Sequence, residues 1–251
     1  MSIHENYNHT LRASYIGYIS QAIVNNFAPL LFLTFQKTYG ISLDKITLLV
    51  TMNFAVQLLV DFLAAGFVDR IGYRKAIVLA HLLCAGGVAG LGILPELTAD
   101  PYLGFLGAVL LYAAGGGLIE VMISPIVEAC PTERKEAAMS LLHSFYCWGH
   151  VLVVVASTVF FRVAGIGNWR ILAFIWALVP FFNCFYFARV PIRSMTGEDR
   201  GMSMRQLAGS GVFWLFVLLM VCSGASEQAM SQWASAFAES ALQVGKTMGD
   251  L

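Results

Sequence analysis

Apolar residues in this chain come in long runs rather than in alternation. Seven stretches, roughly 14–36, 43–68, 76–95, 101–127, 138–162, 169–189 and 211–238, read as membrane-spanning helices, since a span needs about 20 predominantly apolar residues. Polar punctuation marks their ends. Ser42 is placed to cap the second helix. Asp100-Pro101 reads as a cap followed by a first-turn proline and opens the fourth. Pro191 closes the sixth. The pattern predicts an all-α polytopic membrane protein.

Composition agrees with that reading. The chain is 58% hydrophobic and 12% charged, where a soluble domain carries about 25% charged residues. Lys plus Arg balance Asp plus Glu at 15 each, which argues against a nucleic-acid partner. Met1 to Thr10 is polar and no small-residue cleavage site follows, so the first span itself is expected to direct insertion. The five cysteines, at 84, 130, 147, 184 and 222, stand singly with no C-x-x-C. They read as free thiols, not disulfides or metal ligands.

Lys and Arg set the expected orientation. With the N-terminus inside, one side holds Arg12, Arg70, Arg74, Lys75, Arg134, Lys135, Arg189, Arg193, Arg200 and Arg205, and the other holds Lys37, Lys45, Arg162, Arg170 and Lys246. Ten against five favours a cytoplasmic N-terminus. The longest polar stretch, Pro191 to Gln206, lies on the same side and contains Gly, Ser and both charge signs, as a flexible linker does. The expected division is a six-helix bundle over 1–190, a cytoplasmic linker over 191–208 and a seventh helix within 209–251. Six helices and a linker make half of a twelve-helix protein. The chain is therefore expected to be partial, its missing partner a C-terminal half that begins with the seventh helix. A seven-helix retinal pump is disfavoured, because residues 211–238 contain no lysine.

Polar groups at bilayer depth are costly, so each is a functional candidate. The first helix carries Gln21 and Asn25 on one face, with Asn26 beside them. Pro29 cannot donate to the carbonyl of Asn25, which leaves a free oxygen beside amides. The second helix carries Asn53, Gln57 and Asp61 as one stripe, lining water or a helix interface, with Asp61 near the inner charge cluster. Gly86-x-x-x-Gly90 in the third predicts a close-packing face. The fourth has Gly115-Gly116-Gly117 and then Glu120, an acid expected to be neutral or paired. In the fifth, His143, Tyr146 and His150 share a face and read as a pore lining. No third ligand accompanies the histidines, so no metal site is expected. The seventh helix carries Glu227, Gln228 and Trp233. Amides with an indole suit a sugar, hydroxyls to amides and ring face to indole, while an interfacial anchor is the alternative for Trp233.

The stretch Ala65-Gly66-Phe67-Val68-Asp69-Arg70-Ile71-Gly72-Tyr73-Arg74-Lys75, between the second and third helices, packs four charges and a turn glycine into a few residues. It resembles the G-x-x-x-D-R-x-G-R-K loop of the major facilitator superfamily, with Ala65 where the family has Gly. Glu128, Pro131 and Arg134 resemble the family's E-x-x-P-x-x-R string after the fourth helix. Asp69, Arg70, Gly72, Arg74, Glu128 and Arg134 are thereby expected to form a conformational latch. Within the superfamily the chain is similar to the fucose-galactose-glucose:proton symporter branch. That similarity rests on Asn25-Asn26, on Glu120 with Ser124-Pro125, on Leu141-Leu142-His143-Ser144-Phe145, and on Glu227 with Trp233. It implies that the carboxylate of helix four, here Glu120, takes part in sugar and proton handling. The branch's helix-one carboxylate falls near Pro29, where this chain has no acid.

The expected function is secondary active transport of a small polar solute, foremost a sugar, by alternating access with proton coupling, in the plasma membrane. The substrate-binding candidates are Gln21, Asn25, Asn26, Glu120, His143, Tyr146, His150, Glu227, Gln228 and Trp233. Multidrug efflux is the rival within transport, but Gly149-His150-Val151-Leu152-Val153 lacks the G-P-x-x-G motif of those antiporters. A non-transporting solute sensor is the rival from another class. With no nucleotide or metal motif, neither an enzyme nor a cofactor is expected.

Overall fold

A computed structural model describes residues 3–193 and 204–250, except for the side chains of Ala65, Asp69 and Met204. Its helices are α1 (Tyr7–Asn26), α2 (Phe32–Tyr39), α3 (Leu43–Ile71), α4 (Tyr73–Leu97), α5 (Pro101–Ala129), α6 (Lys135–Ala164), α7 (Trp169–Arg189), α8 (Met204–Ala208), α9 (Gly211–Ala241) and α10 (Lys246–Asp250). Among the described residues seven helices are long and apolar enough to span a membrane, with α1 and α2 counted as one. The linker expected at 191–208 falls largely on residues outside the description, and its last residues form the short α8 rather than coil.

The first span is broken. α1 ends at Asn26 and a 3₁₀ turn, Ala28–Leu31, leads into α2. Pro29 removes one backbone donor and its ring crowds the preceding turn, so the regular ladder stops there. Asn26 adds to the break, because its Nδ2 donates to Ala22 O at 2.9 Å. Asp100 caps α5 by accepting from Tyr102 N at 3.0 Å, and Pro101 follows as the first helical residue. Ser42 precedes α3 with extended backbone but makes no side-chain cap.

α3 and α4 meet at a single residue. Gly72 has φ 86° and ψ 145°, a region that only glycine occupies without strain. The turn is held from outside: Arg74 Nη1 donates to Phe187 O at 3.1 Å and to Ala188 O at 2.8 Å. These are carbonyls of the last turn of α7, which have no partner in their own helix. Gly72→Ala is expected to cost about 1–3 kcal/mol through strain alone. The check is a lower thermal midpoint with faster tryptic cleavage at the neighbouring Arg74.

α4 lies between α5 and α7, α1 packs on α5, α6 and α7, and α3 packs on α5. Gly87 lets α4 and α5 touch at the backbone, since a Cβ there would overlap Tyr112 N and lie 2.8 Å from Ala108 O. Gly86, expected to mark that contact, faces open space with nothing within 4 Å. Gly90, the other glycine of the expected face, does meet α5, since a Cβ there would lie 3.5 Å from Ala108 Cβ, so the backbone contact at Gly87 is displaced by one residue, or about 100° of helix rotation, from Gly86. α1, α4 and α7 also share a buried polar knot. Asn183 Nδ2 donates to Ala13 O at 3.0 Å and to His81 Nε2 at 2.9 Å, while His81 Nδ1 donates to Ile77 O at 2.8 Å. Each donor there has an acceptor, as dehydrated donors require, while Asn183 Oδ1 is left without a hydrogen-bond partner.

α3, α6 and α9 turn large apolar side chains outward, among them Phe62 at 78% exposed, Trp148 at 70% and Phe216 at 61%. Such contiguous apolar surface suits lipid. At the end opposite Gly72, Arg170 of α7 joins Glu96 of α4 in an ion pair and donates to Tyr39 OH at 2.6 Å. That link ties three spans together beside Asp100.

Candidate functional site

The site is assembled by Gly115, Gly116 and Gly117 of α5. Successive helical residues point about 100° apart, so three adjacent glycines face three different neighbours. A Cβ on Gly115 would lie 2.5 Å from Ala80 O and 2.7 Å from Cys84 N of α4. One on Gly116 would lie 3.0 Å from Gln21 Oε1 of α1, and one on Gly117 3.0 Å from Gln57 O of α3. α5 therefore touches three helices at one level. Glu120 follows one turn later on the face shared with Gly116 and Gly117, so its carboxylate emerges between α1 and α3.

There it meets a network of amides. Gln21 Nε2 donates to Glu120 Oε2 at 3.3 Å and to Gln57 Oε1 at 3.2 Å. Gln57 Nε2 donates to Asn25 Oδ1 at 3.0 Å and to Asn53 Oδ1 at 2.9 Å. Residues 21 and 25 on α1 and residues 53 and 57 on α3 are each four apart, so the two stripes close on each other like a zip. Tyr18, three before Gln21, joins α1 to α5 through Ser124 Oγ at 2.9 Å.

Beside this network is a cavity of about 510 Å³, within the range of small-ligand sites. Tyr18, Gln21 and Asn25 line it from α1, and Phe54, Gln57, Leu58 and Asp61 from α3. Glu120 comes from α5, His143 and Tyr146 from α6, and Met220, Glu227 and Gln228 from α9. The rings of Tyr18 and His143 stand 5.7 Å apart and those of Tyr18 and Tyr146 6.4 Å. Asp61 of α3, Glu120 of α5 and His143 and Tyr146 of α6 lie in the halves nearest Gly72, so the cavity extends toward that end, while Phe54 of α3 lies past the middle of its helix.

The other end is closed by α9 and α10. Gln232 Nε2 donates to Asn25 O at 2.8 Å, filling the acceptor that Pro29 leaves open. Ser231 Oγ donates to Asn26 Oδ1 at 2.9 Å, and Trp233 packs on Phe32 with ring centroids 5.5 Å apart. Lys246 Nζ donates to Leu30 O at 2.6 Å and pairs with Glu239 at 3.2 Å and Asp250 at 2.5 Å.

Of the residues expected at the site, Gln21, Asn25, Glu120, His143, Tyr146, Glu227 and Gln228 share the cavity wall. Asn26 and Trp233 lie instead at the closure around the break in the first span, and His150 lies one helical turn beyond Tyr146. Gln57 and Asp61, expected as part of a stripe lining water or a helix interface, are on the wall, and Tyr18, Phe54, Leu58 and Met220 join it without having been singled out. For Tyr18 the available signal was spacing, since it extends the Gln21–Asn25 stripe by about one turn.

Among the expected latch residues, Arg74 holds the end of α7, while Arg70, Glu128 and Arg134 are exposed. No ion pair joins those three among the described residues. The side chain of Asp69 lies outside the description. Also among the described residues, no three His, Cys, Asp or Glu side chains come together as a metal site.

Membrane-length helices with a lipid-facing exterior, enclosing a polar cavity of ligand size, define a polytopic helical membrane protein of the solute-carrying kind. The sequence profile of the Major Facilitator Superfamily matches residues 14–249, and the chain belongs to that superfamily of membrane transporters. No curated protein sequence matches it.

Proposed function

We propose that the protein carries a small hydroxyl-rich solute, with a sugar as the leading class, by alternating access. The cavity carries this reading. Its wall combines amides, carboxylates and aromatic hydroxyls, the groups that bond sugar hydroxyls, with the ring faces of Tyr18, Phe54 and Tyr146. It lies at the polar zip of α1 and α3, where solute sites of secondary transporters sit near the bilayer midplane. Residues 1–190 then act as one rocking bundle and α9 as the first helix of the opposing one. The Lys and Arg bias supports a cytoplasmic N-terminus, with the cavity opening inward, and the membrane we propose is the plasma membrane. Glu120 and His143 on one wall support coupling to protons. The loop at Asp69 and Arg70, with Glu128 and Arg134, acts as the latch between conformations.

The test is flux. Reconstituted in proteoliposomes, the protein is expected to take up a sugar saturably, with a lower rate when unlabelled sugar competes. Saturable binding with no flux would favour the solute-sensing alternative. Uptake of apolar drugs in place of polar solutes would favour efflux.

A further inference from the structure

We propose that a groove between α1 and α7 holds one anionic phospholipid, an acyl chain in the groove and the phosphate at Arg12 and Arg189. This goes beyond the solute reading and concerns a separate surface. The groove measures about 460 Å³ and shares no lining residue with the solute cavity. Its wall is Ile16 of α1 with Leu178, Val179, Phe182, Asn183 and Tyr186 of α7. Leu178 is 48% exposed and Phe182 63%, so the groove opens on the outer surface of the bundle. Asn183 directs its amide nitrogen inward, to Ala13 O and His81 Nε2. The open wall is therefore mostly aliphatic and aromatic, which suits a hydrocarbon chain.

The charge at one end of the groove selects the lipid. Toward the end that carries Gly72, Tyr186 OH and His9 Nδ1 share a hydrogen bond of 2.7 Å and form a polar rim, as aromatic side chains do at headgroup level. Arg12 stands one turn before Ile16 on α1. Arg189 stands three residues after Tyr186 and seven after Phe182 on α7. Each arginine thus lies on the groove-lining face of its helix. Both are exposed, and neither belongs to an ion pair among the described residues. An apolar trough that ends in two unpaired guanidinium groups is complementary to a lipid of net negative charge, chain to trough and phosphate to arginine. A zwitterionic lipid fits the trough equally well but brings its own ammonium to the two cations.

The experiment uses the purified protein in a neutral detergent with added phosphatidylglycerol or phosphatidylcholine of identical chains. Retained lipid is counted by native mass spectrometry, and the lipid-free thermal midpoint checks that each variant is folded. Phosphatidylglycerol is expected to be retained about ten-fold more tightly than phosphatidylcholine. The ratio should fall toward one when Arg12→Gln and Arg189→Gln are combined. Lys135→Gln, which removes an exposed cation from the start of α6, should leave it unchanged. Leu178→Trp, which fills the groove from an exposed position, should lower retention of both lipids alike. Equal retention of the two lipids by the unaltered protein would overturn the proposal. An equal loss in Lys135→Gln would overturn it as well, by showing diffuse attraction to a basic surface. Undiminished retention in Leu178→Trp would overturn the assignment to this groove. None of these outcomes depends on solute flux, so the transport reading stands or falls separately.

Discussion

Gly87→Ala should lower the thermal midpoint of the protein clearly, whereas Gly86→Ala, one residue earlier, should leave it unchanged or raise it. The methyl on residue 87 would enter the backbone of α5 at Tyr112 and Ala108. Backbone does not swing aside as the end of a side chain does, so α4 and α5 must separate along their whole contact. Overpacking of this kind costs about 1–3 kcal/mol, and here it strikes the pair of helices with the most extensive packing in the bundle. The methyl on residue 86 meets nothing within 4 Å. There the substitution only removes the flexibility of a helical glycine, which is a gain of about 0.5–1 kcal/mol. Melting the two variants side by side in one detergent checks the opposite signs. Equal losses would show that the rotation of α4 described above is wrong.

Gly86-x-x-x-Gly90 illustrates what could and could not be read from the chain. The number of spans and their ends were legible, because membrane length and local caps such as Asp100-Pro101 act within a few residues of where they are written. The rotation of each helix about its axis was not, because it depends on the partner's surface. A small-residue motif announces that a helix can be approached closely, but the facing backbone decides which glycine is used. The same division holds at the break in the first span. Pro29 shows locally that Asn25 O loses its donor. That Gln232 supplies the replacement from α9, 207 residues away, has no local signature. Asp61 is a third case. It lies eight residues before Asp69, about 12 Å along a helix, so distance alone ties it to the charged loop. Its place in the Asn53–Gln57 stripe turns it into the cavity with Glu120. His81 and Asn183, 102 residues apart, carried no signal at all, since a lone buried His looks like any other until its acceptor and donor are seen.

On the proposed transport reading, Glu120→Gln is expected to reduce solute exchange and any proton-driven accumulation together, each by at least ten-fold, while the protein still folds. Folding should survive because a glutamine keeps an oxygen where Glu120 Oε2 accepts from Gln21, and Gly115 to Gly117 still hold α5 against its three neighbours. What disappears is the charge. A hydrogen bond to a charged group is worth roughly 1.5–3 kcal/mol, which corresponds to about 10- to 150-fold in affinity. A group that contacts the solute must damage exchange, which requires binding but no gradient. A group that only carries the proton would spare exchange and abolish accumulation alone. Contact with the solute is the expected outcome, because Glu120 stands on the wall shared with Gln21, Tyr146 and Glu227. The break at Pro29 offers no helix-one acid to divide the work. Both fluxes should be measured on the same proteoliposomes, once with solute on both sides and once with an imposed pH gradient. Normal exchange with lost accumulation would reassign Glu120 to proton transfer, and normal values for both would remove it from the site.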